Sequence, residues 1–150
     1  MGKGIVTGIH HTSITVGDMR RSVAFYRDVL GFEEIWSSDA HGWRLEGPVA
    51  DAVTNCPGTR QRLVFMRAGE SLIELVEYEP TQDQPEHKAS DTGSMHICLR
   101  TDDIDALYRR VVESGVRTHC EPQQISEDAR VFYFRDPDGA VLEVATSLPV

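Results

Sequence analysis

Gly8-Ile9-His10-His11-Thr12-Ser13-Ile14-Thr15-Val16-Gly17-Asp18 is the stretch that decides the fold. Its pattern returns as Gly93-Ser94-Met95-His96-Ile97-Cys98-Leu99-Arg100-Thr101-Asp102-Asp103. In each copy a histidine sits in an alternating, strand-like run, and an Asp seven residues later (Asp18, Asp103) opens an amphipathic helical pattern. The closing stretches match too. Gly69-Glu70-Ser71-Leu72-Ile73-Glu74-Leu75-Val76-Glu77 and Asp138-Gly139-Ala140-Val141-Leu142-Glu143-Val144-Ala145 each set a glutamate inside an apolar run after a glycine turn. The chain therefore reads as two copies of one module, with His11 and Glu74 in the first and His96 and Glu143 in the second.

Working outward, residues 5–16 alternate as a half-buried strand, with Ser13 and Thr15 on the His11 face and Thr12, Ile14 and Val16 on the other. Asp18 to Leu30 is predicted as a helix, with Met19, Val23, Tyr26 and Leu30 on its apolar face and Gly31 as its stop. Strands are expected over 32–37 and 42–46, then a loop over 39–59, then a hairpin of 61–67 with 71–78. The polar stretch around 80–92 reads as a linker. The second module repeats the order: strand 95–101, helix 103–114 with Ile104, Leu107, Tyr108 and Val111 on one face, strand 116–120, turn region 121–128, and a hairpin of 130–134 with 141–146 through Asp136-Pro137-Asp138-Gly139. From His11 to His96 the shift is 85 residues, and from Glu74 to Glu143 it is 69; the difference of 16 matches an insertion in the 39–59 loop.

Composition narrows the functional classes. With 150 residues the chain can bury a core as one domain, or as two small modules sharing one. A formal charge of −9 without a Lys/Arg cluster argues against nucleic acid or an anionic membrane as partner. Cys56, Cys98 and Cys120 are odd in number and widely spaced, no run is long and apolar enough to span a bilayer, and Met1-Gly2-Lys3-Gly4 does not begin an export signal. The expectation is a cytoplasmic protein.

Several of these stretches carry a resemblance. His11-Thr12-Ser13-Ile14-Thr15-Val16, Phe25-Tyr26-Arg27-Asp28-Val29-Leu30-Gly31-Phe32, Ile73-Glu74-Leu75, Met95-His96-Ile97, Phe134-Arg135-Asp136-Pro137-Asp138-Gly139 and Leu142-Glu143-Val144 together make the chain similar to the vicinal oxygen chelate superfamily. That superfamily includes glyoxalase I, methylmalonyl-CoA epimerase, extradiol dioxygenases and bleomycin- or fosfomycin-resistance proteins. The resemblance covers nearly the whole chain. It implies an α+β fold in which two βαβββ modules (5–79 and 93–147, joined by the 80–92 linker) form an open, cup-shaped mixed β-sheet within one domain, 1–150. Helices pack outside the cup, a divalent metal sits at its base, and the protein is a homodimer.

The residues themselves argue for a metal. Two carboxylates beside apolar neighbours are costly to ionise unless a cation balances them. Imidazole with carboxylate suits Zn, Ni, Co, Fe or Mn. His11, Glu74, His96 and Glu143 are therefore the expected metal ligands. His10 is left out because strict alternation turns it to the other face, and His41, His87 and His119 lack a matching repeat position. Trp36, Trp43, Phe65, Tyr78 and Tyr133 are candidates for the mouth of the cup, and Arg100 is a candidate for an anionic substrate group.

A two-His, two-Glu set resembles glyoxalase I. There the metal acts as a Lewis acid on a substrate carbonyl, and a glutamate, Glu143 or Glu74, moves the adjacent proton. The expected substrate is a small carbonyl compound or thioester, and the expected reaction is that of a lyase, isomerase or epimerase. Glyoxalase I has Arg and Asn, serving glutathione, where this chain has Thr15 and Tyr78, so a glutathione adduct fits poorly. Two other classes stay open: an Fe(II)-dependent extradiol-type dioxygenase, which needs vacancies where Glu74 would bind, and a metal-free small-molecule binding or resistance protein.

Overall fold

Alternating apolar residues on either side of Gly69 make the first hairpin. β3 (Arg60–Ala68) and β4 (Ser71–Glu79) pair antiparallel from Ala68↔Ser71 to Arg60↔Glu79, and Gly69 takes φ 61° in the turn, where a side chain would be strained. β1 (Thr12–Thr15) runs parallel to β4, and β2 (Glu33–Ser37) runs antiparallel to β3, so the first sheet has the order β1-β4-β3-β2. One face of this sheet is its core: Ile14, Val64, Met66, Ile73 and Leu75 are all buried. Burying each such side chain is worth about 1.5–3 kcal/mol.

The second sheet repeats the plan. β5 (Ile97–Arg100) runs parallel to β8 (Val141–Ala145), which pairs antiparallel with β7 (Arg130–Arg135), and the short β6 (Gln123–Gln124) completes the order β5-β8-β7-β6. Three helices are described: α1 (Met19–Ala24), continued as one wider π turn (Phe25–Val29), α2 (Pro48–Thr54) and α3 (Ile104–Glu113). The Asp103 carboxylate caps α3 by accepting the Ala106 N–H at 2.8 Å. The expected α+β class is found, as two separate four-stranded mixed sheets, in a computed structural model that describes residues 4–82 and 85–147. Among these residues no helix is long and apolar enough to cross a membrane.

The chain packs as two compact units. One holds the residues up to Met19 together with Phe32–Pro80, and the other holds Arg20–Gly31 together with the chain from Thr81 onward. The first helix therefore serves the second unit. Its Tyr26 hydroxyl donates to the Asp136 carboxylate at 2.9 Å, its Ser22 hydroxyl donates to Asp138 at 3.1 Å, Arg21 pairs with Asp138, and the Phe25 ring lies 6.4 Å from Phe134. On the same side, Tyr108 of α3 meets Phe132 edge to face at 5.3 Å, and Arg110 donates to the Asp28 carbonyl at 2.8 Å. Two stretches a hundred residues apart, 25–32 and 134–139, turn out to be partners.

Several boundaries differ from the expectation. The strands expected over 5–16 and 95–101 shrink to Thr12–Thr15 and Ile97–Arg100, so His11 and His96 each stand just ahead of their strand. The strand expected at 42–46 is only a bridge between Leu45 and Gln61, and that at 116–120 only a bridge between Thr118 and Phe134. The 39–59 loop contains α2, which starts at Pro48, a residue whose fixed φ suits a first helical position. The helix expected to bury Met19, Val23, Tyr26 and Leu30 instead buries Met19, Ser22, Phe25 and Tyr26, one face at ordinary helical spacing, while Val23 and Leu30 are only half-buried.

Candidate metal centre

Each unit places one histidine against one glutamate. In the first, Glu74 lies mid-strand on β4, on the face opposite the core, with Ser13 of β1 and Phe65 of β3 as its register partners. His11 stands two residues ahead of Ser13 and turns Nε2 to within 3.4 Å of Glu74 Oε2. Its other ring nitrogen is held as well: His10 Nδ1 lies 2.8 Å from His11 Nδ1. The backbone before Thr12 is not strand, so the alternation expected to turn His10 to the other face does not apply there.

The second unit repeats the pair more tightly. Glu143, only 8% exposed at the centre of β8, has Cys98 of β5 and Tyr133 of β7 opposite it, and its Oε2 lies 3.1 Å from His96 Nε2. Tyr133 Oη sits 3.5 Å from the same His96 nitrogen. Burial, then the nearby Glu143 carboxylate, pushes the Tyr133 phenol up to about 12. Burial and the same carboxylate push the Cys98 thiol up to about 11.

The aromatic candidates divide. Phe65 meets His11 edge to face at 5.5 Å and Trp36 at 5.9 Å, and Trp36 stacks on His41 at 5.2 Å and meets Trp43 at 6.0 Å. A bulge between Glu34 and Trp36 puts Trp36 opposite Phe65, on the Glu74 side, a register the sequence did not reveal. Tyr78 lies on β4 four residues beyond Glu74, and its phenol is raised by burial, then by Cys56 and Glu74. His119, set aside with the surface histidines, is exposed but stacks on Tyr133 at 6.1 Å, and its N–H donates to the Tyr133 carbonyl at 2.8 Å. Arg100 ends the exposed edge strand β5.

The four expected ligands thus come together as two His–Glu pairs. Among the described residues no group of three or more His, Cys, Asp or Glu side chains gathers as a metal cluster. Within each pair the donor types, though not their number, suit a divalent cation. An imidazole nitrogen and a carboxylate oxygen point at each other across 3.1–3.4 Å, and the carboxylate is largely shielded from water. Such a bite joins the nitrogen and oxygen donor types that suit Zn, Mn, Fe, Co or Ni.

A fold of two repeated βαβββ-like sheets with a His–Glu pair on each defines a class that comparison identifies. Residues 8–144 match the Glyoxalase/Bleomycin resistance protein/Dioxygenase superfamily, and the chain belongs to it. It is similar to a 2-epi-5-epi-valiolone epimerase of Actinomyces sp, at 31% identity over 95% of this chain and 82% of that one. It is also similar to a lactoylglutathione lyase of Haemophilus influenzae, at 32% identity over 90% of this chain and 89% of that one. Among solved structures, a glyoxalase family protein of Bacillus cereus shares the fold with a TM-score of 0.78 at 21% identity, covering 99% of both chains. The fosfomycin resistance protein FosX of Listeria monocytogenes, solved with Mn(II), matches at a TM-score of 0.62 and 17% identity over 96% of this chain and 95% of that one. The family thus holds epimerases, lyases and fosfomycin-modifying enzymes, and at least one member binds a divalent metal.

Proposed function

We propose that the protein is a divalent-metal-dependent enzyme that moves a proton at the carbon next to a substrate carbonyl, and that His11, Glu74, His96 and Glu143 hold the metal. The observation that carries this reading is the matched His–Glu pair on each sheet, at 3.4 and 3.1 Å. Those residues would hold the cation, which when bound would supply Lewis acidity toward a substrate carbonyl. His10 keeps His11 turned toward Glu74. Glu74 or Glu143 takes the proton: the C–H bond breaks, an O–H bond forms on the carboxylate, and the electron pair moves toward the carbonyl oxygen. Return of the proton to the same carbon is epimerisation, and return to its neighbour is isomerisation.

Similarity to an epimerase and to a lyase that act on different substrates supports this shared step rather than one substrate. Tyr78 beside Glu74, where glyoxalase I has Asn, favours a small carbonyl compound or thioester over a glutathione adduct. The same reading takes the protein as a cytoplasmic homodimer, in keeping with cysteines that are all free.

Elemental analysis of untagged protein tests the proposal, with wild type beside His11→Ala and Glu74→Ala. A single Zn, Ni, Co or Mn ion per chain, lost in both variants, is the expected result. Iron retained by Glu74→Ala would replace the reading with an extradiol-type dioxygenase. Absence of metal after reconstitution would leave a small-molecule binding protein.

A further inference from the structure

Arg135 ends β7 with its side chain only 7% exposed, and its guanidinium is one acceptor short. Nη1 donates to the Gly139 carbonyl at 2.7 Å and Nη2 to the His87 carbonyl at 2.8 Å, while the Nε–H is buried without an acceptor among the described residues. Nε and Nη2 form an edge on which a guanidinium can meet both oxygens of a carboxylate. Only half of that edge meets a carboxylate here: Oε1 of Glu86 lies 3.1 Å from Nη2.

The same Glu86 oxygen accepts from Arg117. The Arg135 N–H donates to the Arg117 carbonyl at 2.9 Å and the His119 N–H to the Tyr133 carbonyl at 2.8 Å, so residues 117–119 lie along β7 and bring the two arginines to one corner. Arg117 first, then Arg135 and His119, hold the Glu86 carboxyl below its ordinary value. Glu86 is exposed and stands in a stretch, 85–88, that is neither helix nor strand. It is the only acid paired with either arginine among the described residues.

The corner opens on a cleft of about 800 Å³, a volume within the range of small-molecule sites. Arg117 and Arg135 line it together with Phe25, Val29, Val116 and Pro137. The acids of the cleft are already matched. Arg27 holds Asp28 at 2.7 Å, Arg21 pairs with Asp138, and Asp136 accepts from Tyr26, Asp138 and Ala140.

We propose that this corner and cleft bind a small carboxylate with an apolar body, and that Glu86 holds the anion position until such a ligand displaces it. An untethered carboxylate spans Nε and Nη2 of Arg135 and reaches Arg117, satisfying the donor that Glu86 leaves unmet. Its apolar body lies against the Phe25 and Val29 side of the cleft. All these residues belong to the second unit, and the site does not depend on the metal reading.

The test titrates the 150-residue chain with phenylacetate and follows binding by calorimetry. Glu86→Gln removes the internal competitor and is expected to tighten binding about two- to fivefold, the range of an exposed ion pair. Arg117→Gln, at an exposed side chain, is expected to weaken it about tenfold, with a melting temperature within about 2 °C of wild type. Acetate, which lacks the apolar body, and benzyl alcohol, which lacks the charge, should each bind at least about tenfold less tightly than phenylacetate. Failure of Glu86→Gln to bind phenylacetate at about 10 mM would overturn the proposal. So would an affinity unchanged by Arg117→Gln, or binding abolished by His11→Ala, which would put the carboxylate at the metal centre instead.

Discussion

Replacing Tyr26 by Phe removes one oxygen atom from the contact that joins the first helix to the 134–139 turn. Tyr26 is fully buried, and its hydroxyl donates at 2.9 Å to Oδ2 of Asp136, itself only 4% exposed. The other carboxylate oxygen is already taken by the N–H groups of Asp138 at 2.9 Å and Ala140 at 2.8 Å. Phenylalanine fills the same space, so no cavity forms, and the cost is that of a buried carboxylate oxygen losing its donor. That is about 1.5–3 kcal/mol for a hydrogen bond to a charged group. In a chain of this length it corresponds to a fall in melting temperature of about 3–12 °C.

Equilibrium unfolding in urea, followed by far-ultraviolet circular dichroism, measures the loss at constant m-value. The pH dependence makes the test specific. Burial raises the Asp136 carboxyl above its ordinary value, and the Tyr26 hydrogen bond pulls it back down. Without that bond Asp136 holds its proton more tightly, and the protonated acid misses the donor less than the carboxylate does. The loss in Tyr26→Phe should therefore be larger at pH 7 than at pH 4. A loss below about 0.5 kcal/mol at pH 7, the range of ordinary surface substitutions, would refute the reasoning, as would a loss that does not change with pH.

Two further outcomes follow from the same structure. Because Asp136 is raised in the folded state, the native protein keeps a proton that the unfolded chain has released, so its contribution is present below the ordinary value of 3.8 and is lost as pH rises through the raised one. Asp136→Asn should therefore gain stability relative to wild type as pH is raised above 3.8, measured by unfolding midpoints from pH 4 upward; a constant difference would contradict it. With its thiol pushed up to about 11, Cys98 should be the slowest of the three cysteines to be alkylated by iodoacetamide in metal-free protein at pH 8. Peptide mapping should show Cys56 and Cys120 modified first, and equal rates would argue against the Glu143 carboxylate acting on the Cys98 thiol.

Much of this was legible before folding. Apolar alternation and glycine turns located both hairpins to within a residue or two, since a half-buried strand imposes period two on its own sequence. The repeat of His11 by His96 and of Glu74 by Glu143 identified both pairs, because equivalent positions in repeated modules face equivalent surroundings. The alternation that turned His10 away from His11 missed their contact for a local reason. The rule used for it belongs to strands, and the backbone at His10 is not one.

The sequence by itself determined the repeat, both hairpins, the four ligand candidates and the superfamily, because patterning and turn chemistry act over a few residues. Only the tertiary structure decided that the first helix serves the second unit, with Tyr26 bonded to Asp136 and Ser22 to Asp138. Only it placed Phe65 and Tyr133 at one and the same scaffold position, with a hydroxyl as the difference between them. Both depend on which strand lies opposite which and at what register. Register is set by the joint packing of all the strands and by a bulge at Trp36, and no short stretch of chain encodes either alone.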